Sequence, residues 1–435
     1  MIRMNQGMLL QQNQLHRPTI AVKFYRETCE AFLSADIPLN KLSNPKFKKY
    51  LCKYTGKNIP DQSTLRKYYV QEAYQSKLSS LRKLAAGQKI WVSLDETTDV
   101  EQRYIVCLVF GIMGIEEERE NCYLANLEIV EKVNHSTIAA FFNDTLLSLW
   151  PEKILYENVL LVTTDAAPYM VKCMAALQIL YPKMLHLTCK AHALHRVAEL
   201  IRAENPLVNT LISTGKSIFV KAPHRIQTFK ELAPNIPLPP SPVITRWGTW
   251  IDAATYYKNN FEVFNEVVLK LDKSQAVCIE KCQEVLQNPE IVPSLSVISS
   301  QLSILSTTIK KLEAIGLPLS ESIKLIAEVQ TALDALYDKK YLHKLQSMLN
   351  KNINYSTFLS INSILKGSSE DKTDEFIKCY TPSHICCFKY APVVSCDVER
   401  VFSQYKTVLA DNRRRLNFEN LKALMIIKCN EYNDK

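Results

Sequence analysis

Glycine is scarce, 9 residues in 435. A chain so poor in the residue that supplies turns is not a turn-dense β architecture, and the scarcity favours a helix-rich fold. Long hydrophobic runs are missing too. The longest, Ile105 to Ile115, falls short of the roughly 20 apolar residues a membrane helix needs and reads as a core strand, so no membrane partner is expected. The opening "MIRMNQGMLLQQNQLHR" has no signal-peptide pattern. Thirteen cysteines are present, but they form no regular framework. An odd, scattered set points to reduced thiols in the cytosol or nucleus. Low-complexity tracts and repeats are absent. Neither sign of charge dominates: 53 basic against 44 acidic residues leave +9, a mild lean toward an anionic partner such as nucleic acid.

What remains is an ordinary globular composition, 47% hydrophobic and 22% charged, long enough for two or three domains or for one domain with a large insertion. Residues 1–88 read as helices and loops, with a basic stretch "NPKFKKYLCKYTGK" and a capped helix at "DQSTLRKYYVQEAY". At residue 89 the texture changes. "KIWVSLD", "RYIVCLVFGIMGI" and "CYLANLEIV" are three strand-like runs. "STIAAFFNDTLLSLW" is amphipathic and starts on a serine cap, hence a helix. "NVLLVTTD" is a buried strand, followed by a helix through "MVKCMAALQIL" and a short strand "LHLTC". The order is β-β-β-α-β-α-β. From 201 to 385 the periodicity is helical throughout, as in Phe261, Phe264, Val268 and Leu271, and in Leu302, Leu305, Ile309 and Leu312. The proline cluster "APNIPLPPSPVITRWGTW" divides that block. "APVVSCDVERVFSQY" and a terminal amphipathic helix in "NRRRLNFENLKALMIIKCN" close the chain.

Two of the strands end in an aspartate, Asp95 and Asp165. Carboxylates at the ends of neighbouring strands are able to share a hard divalent ion, and two-metal sites of this kind drive in-line displacement at phosphorus. They serve equally as turn and cap residues. A third carboxylate is at hand in Glu399, which otherwise reads as a solvated helix glutamate. Cys189, His192 and His195 in "CKAHALH" share a helical face, as zinc ligands or as a buried cluster lining a cleft. In "TRWGTW", Arg246 and Trp247 form either a phosphate grip beside a base-stacking indole or a core anchor. Arg413, Arg414 and Arg415 are a solvated turn or a phosphate contact.

Taken together, "WVSLDETTD", "VTTDAAPYM", "CKAH", "TRW" and "SCDVERVFSQY…NRRRLNFENLKALMIIKCN", in that order and spacing over 89–435, make the chain resemble the hAT superfamily of DNA transposases and their domesticated derivatives. The resemblance implies an α/β RNase H-like core, a mixed sheet flanked by helices. Residues 89–200 would form its first part and 386–435 its last, interrupted by an all-α insertion at 201–385. It implies a catalytic, metal-binding triad of Asp95, Asp165 and Glu399 using Mg²⁺ or Mn²⁺ to cut and join DNA. Arg246 and Trp247 would hold a flipped base, and Cys189 and His192 would line the site. The C-terminal segment would form a homodimer or higher oligomer, presenting Leu421, Leu424 and Ile427 or Lys428, and the protein would work in the nucleus. Residues 1–88 contain only Cys29 and Cys52, so the BED-type zinc finger common in the family is absent from them. The alternative is a catalytically silent, transposase-derived protein that binds DNA and dimerises.

Overall fold

In the computed structural model, residues 20–114, 122–242, 248–352, 354–368, 377–409 and 416–431 are described. Five strands build one mixed sheet: β1 (Ile90–Thr98), β2 (Tyr104–Ile112), β3 (Cys122–Val130), β4 (Val159–Thr164) and β5 (Leu185–Thr188), in the order β3-β2-β1-β4-β5. The first three form an antiparallel meander, while β4 and β5 run parallel to β1. The apolar runs that predicted these strands are buried throughout the middle of the sheet, as continuous Val/Ile/Leu strands covered on both faces must be.

Side chains alternate between faces with period two, and this assigns the covering helices. Leu94 pairs with Leu108 and Leu108 with Asn126, whose side chain bonds Thr145 of α5 (His135–Leu149). Asp95, the next residue, faces the other way, toward α19 (Cys396–Val408). The α5 cap differs from the sequence reading. Asn134, not Ser136, is the N-cap, and its side chain accepts from the backbone N–H groups of Ser136 and Thr137 at 3.0 Å. One close approach in the sheet requires glycine. Gly111 stands opposite Trp91, and a Cβ there would sit 2.4 Å from the indole.

Helices α1 (Ile20–Ser34), α2 (Pro45–Thr55), α3 (Gln62–Thr64) and α4 (Val70–Ala85) precede the sheet. Asp61 occupies the N-cap position of α3, but its carboxylate pairs with Lys48 at 2.6 Å and makes no capping bond. The last helix, α20 (Phe418–Glu431), packs between α1, α4 and β3. Its Asn430 is buried and brackets Leu124, accepting from its N–H at 2.9 Å and donating to its carbonyl at 3.0 Å. The bracket falls at a register break, where Ala125 has no opposite number on β2. Leu421, Leu424 and Ile427 are buried in this packing, and Lys428 pairs with Asp36. The apolar face expected to serve a partner is therefore already covered by the chain's own α1, α4 and β3.

Between Pro206 and Cys387 every regular element among the described residues is helical. Ile291–Leu312 in this block is the one described stretch long and apolar enough to cross a membrane. It behaves as a core helix with a π-helical turn at Ile298–Leu302 instead. Leu295, Leu302, Leu305 and Ile309 are buried, and its halves pack on α10 (Thr249–Asn259) and α15 (Leu319–Asp334).

Candidate metal centre

The β1–β4 register sets the geometry. Ser93 stands beside Thr163 on the parallel neighbour, and each strand places an aspartate two residues further on, Asp95 and Asp165. Period-two alternation then directs both toward one face at one level. The pairing is reinforced by the hydroxyl of Ser93, which donates to the Thr163 carbonyl at 3.4 Å. Asp165 lies one residue past β4, where its side chain accepts from the Ala167 N–H at 3.0 Å and shapes the turn into α6 (Pro168–Leu177).

Two further helix starts close on this point. β5 pairs Thr188 with Thr164, so the next residue, Cys189, caps α7 (Lys190–Glu204) level with Asp165. The segment before α19 is tied to the same cap. The Ser395 N–H donates to Cys189 Sγ at 3.3 Å, and the Lys190 N–H donates to the Val393 carbonyl at 2.9 Å. These bonds bring the first turns of α7 and α19 over the strand ends. Ligand atoms of Asp95, His192 and Glu399 consequently lie within 4.8 Å of one another. Asp165 stands outside that closest set, near enough for its charge to act on Asp95, Glu96 and His192.

Burial pushes the Asp95 carboxyl well above the usual carboxylate range. His192 pulls it back, while Glu96, Glu399 and Asp165 push it further up. Burial likewise raises Glu399, with His192 opposing. Burial works against charge on His192, but Cys189, Asp95 and Asp165 more than offset it and raise the imidazole to about 9. Cys189 shows the complement: burial would raise its thiol, and His192 together with the Ser395 N–H brings it down. Cys189 and His192 thus each favour the other's charged form beside crowded carboxylates. His195, expected on the same face, turns to Glu199 at 3.4 Å and takes no part.

Asp95, His192 and Glu399 together form a group that could hold a metal ion, with Asp165 beside it. His192 offers a ring nitrogen to that group and, when protonated, a positive charge beside the two carboxylates.

"LDETTD" holds two other carboxylates, and they do different work. Asp99 is a fastener. It accepts from the backbone of Glu101 and Arg103, pairs with the Arg103 guanidinium at 2.7 Å, and accepts from the Tyr405 hydroxyl of α19 at 3.1 Å. Burial opposes its charge, yet the Arg103 bonds hold it below the ordinary aspartate range. Glu96 is a residue that sequence reasoning passed over. Its Oε1 accepts from the Tyr169 hydroxyl, and its Oε2 is buried with no hydrogen-bond partner. Burial raises its carboxyl, and Asp165 adds to the rise. The only signal for it was adjacency to Asp95. Arg246, Trp247 and Arg413 to Arg415 lie outside the described residues. Directly after Trp247, Gly248 adopts φ 73° against Ser306, and α10, which begins at the next residue, packs on α7.

Residues 60–218 match DUF659, a domain of unknown function. No curated protein matches the chain. The DUF659 segment runs from the residue before Asp61 through the sheet into α8 (Pro206–Phe219). It contains Asp95, Asp165, Cys189 and His192 and stops well short of Glu399.

Proposed function

We propose that this chain is a transposase-related protein of the hAT type, an RNase H-like nuclease core whose Asp95, Asp165 and Glu399 hold Mg²⁺ or Mn²⁺ for cleavage and joining of DNA. One observation carries the reading: two parallel central strands deliver Asp95 and Asp165 in register, and a helix from the far end of the chain adds Glu399. The strand order β3-β2-β1-β4-β5, with a helical block interposed before the third carboxylate, is what such a core requires. The DUF659 match supports the same reading, since that family is associated with hAT transposases.

Bound there, the metal would neutralise phosphate charge and lower the pKa of the attacking water. The protein's own residues prepare the place. Asp95, buried and stripped of water, is an expensive anion until a cation joins it. Cys189 holds His192 charged, which keeps a positive group beside the carboxylates where a phosphate would enter. Tyr169 restrains Glu96 at the rim. Arg246 and Trp247 would grip a flipped base, and DNA would be the partner of a homodimeric nuclear protein.

A second reading draws on His192 itself. An imidazolium within 4.8 Å of Asp95 and Glu399 offsets part of their charge without any metal, as expected of a silent, domesticated DNA-binding descendant. Nicking of supercoiled plasmid separates the two. Mg²⁺- or Mn²⁺-dependent nicking that falls at least a hundredfold in Asp95→Asn, Asp165→Asn and Glu399→Gln is expected. Equal nicking by wild type and all three variants would overturn the assignment, and no nicking by any would favour the silent reading.

A further inference from the structure

The chain's modest +9 is not spread evenly. Residues 45–69 hold seven of its basic side chains (Lys46, Lys48, Lys49, Lys53, Lys57, Arg66 and Lys67) against one acid, Asp61, so about two thirds of the net charge sits in 25 residues. Within them α2 is unusual: none of its eleven residues is fully buried. It is held down along one edge only. Phe47 meets Phe32 of α1 with ring centroids 6.3 Å apart, Leu51 packs on the core, and Lys48 takes Asp61. Lys48 aside, the basic residues of this segment are exposed.

At 100° per residue Lys46, Lys49, Tyr50, Lys53 and Tyr54 fall on one stripe, continued by Lys57 just beyond the Gly56 cap. Tyr50 is 58% exposed and Tyr54 68%, yet their rings pair at 4.9 Å, and Lys53 lies 5.0 Å from the Tyr54 centroid. Large aromatic rings standing in solvent among lysines that have no acidic partner among the described residues gain little for the fold, although Lys57 also lies 4.5 Å from the Phe24 ring of α1. They suit a ligand that is anionic along its length and offers flat faces. Duplex DNA meets the charge requirement, but its base faces are stacked away. A strand with unpaired bases meets both: phosphates on the lysines, bases on the tyrosines.

We propose that the Lys46–Lys57 stripe of α2 is a binding face for single-stranded DNA, separate from the carboxylate cluster. α2 packs on the 3-10 turn Leu39–Ser43 and meets α1 through Phe47 and Phe32, and α1 packs on α4 and α20 at the β3 side of the sheet, whereas Asp95 and Asp165 stand at the β1–β4 pair. The face would hold a strand whether or not the carboxylates cut it, so its failure and that of the nuclease reading are told apart.

The test is fluorescence anisotropy with a labelled 20-nucleotide oligo-dT, a duplex of equal length, and anionic phosphatidylserine vesicles as a competing surface, across a salt series. Two variants are compared with wild type: Lys46, Lys49, Lys53 and Lys57 all changed to Gln, and Tyr50 and Tyr54 both changed to Ala. With no buried α2 residue, unchanged circular dichroism and melting midpoint are expected of both. Each phosphate contact contributes about 0.7 to the log–log salt slope for single strands, so the lysine variant should flatten the slope by about three. The tyrosine variant should bind oligo-dT about tenfold or more weakly while keeping the wild-type slope. An unaltered slope in the lysine variant, an equal loss of duplex and oligo-dT binding in the tyrosine variant, or stronger binding to vesicles than to oligo-dT at equal salt would each overturn the proposal.

Discussion

Tyr405 donates its hydroxyl proton to Asp99 at 3.1 Å across 306 residues of sequence, both side chains buried. The bond fastens α19, two turns after Glu399, to the turn that follows Asp95. It is the strut that keeps Glu399 beside Asp95 while the long helical block between Pro206 and Cys387 intervenes in the chain.

Tyr405→Phe removes only that hydroxyl. A hydrogen bond to a charged acceptor contributes about 1.5–3 kcal/mol, and Asp99 keeps its Arg103 partners, so a loss near the low end is expected by urea unfolding. Divalent-metal affinity should fall with it, by less than in Asp95→Asn. Wild-type stability would mean that the bond is not formed.

α20 belongs to the folded core. Asn430→Leu would strand the N–H and carbonyl of Leu124 at the register break in β3, at a cost of about 1–3 kcal/mol. Leu421→Ala would add a cavity costing about 2–5 kcal/mol. Loss of residues 416–435 should accordingly give an insoluble or unfolded chain. A soluble, folded monomer, seen by light scattering and circular dichroism, would show that this helix serves a partner after all.

His186 provides a pH marker. The Thr164 hydroxyl donates to the Asp165 carbonyl at 2.7 Å, leaving its oxygen to accept from His186 Nε2 at 2.9 Å. Burial, aided by the charge of Lys190, lowers this imidazole to about 4. The unfolded chain takes up a proton at pH 6.5 that the folded chain refuses until about pH 4. Stability from this group is complete above pH 6.5 and is lost as pH falls through that window, roughly 3 kcal/mol in all at 1.36 kcal/mol per unit. Urea unfolding of wild type and His186→Leu from pH 8 to pH 4 checks it. The gap between the two should shrink or reverse toward low pH, and parallel curves would contradict the buried neutral state.

Much of the sheet was legible because its strands are continuous apolar runs, and Asp95 and Asp165 stood out as carboxylates directly after two of these runs, although β1 continues past Asp95 to Thr98. Periodicity likewise marked the helices between Pro206 and Cys387. Three things were not legible. The α20 stripe of Leu421, Leu424 and Ile427 reads the same whether a neighbouring chain or the chain's own β3 covers it, since periodicity reports burial and not by whom. Asp99 and Glu96 look like Asp95 in sequence, and only the distant Tyr405 and Tyr169 tell them apart. The approach of His192 to Asp95 and Glu399 depends on the bonds that tie the start of α7 to the segment before α19, which local spacing does not encode.

We propose above that Asp95, Asp165 and Glu399 hold a hard divalent cation. Mn²⁺ titration followed by electron paramagnetic resonance, which counts free Mn²⁺, measures this directly and requires no DNA substrate. Saturable binding by wild type, displaced by Mg²⁺ and weakened at least tenfold in Asp95→Asn and Glu399→Gln at unchanged circular dichroism, is the expected result. Binding that is absent from wild type, or equal in wild type and both variants, would contradict it.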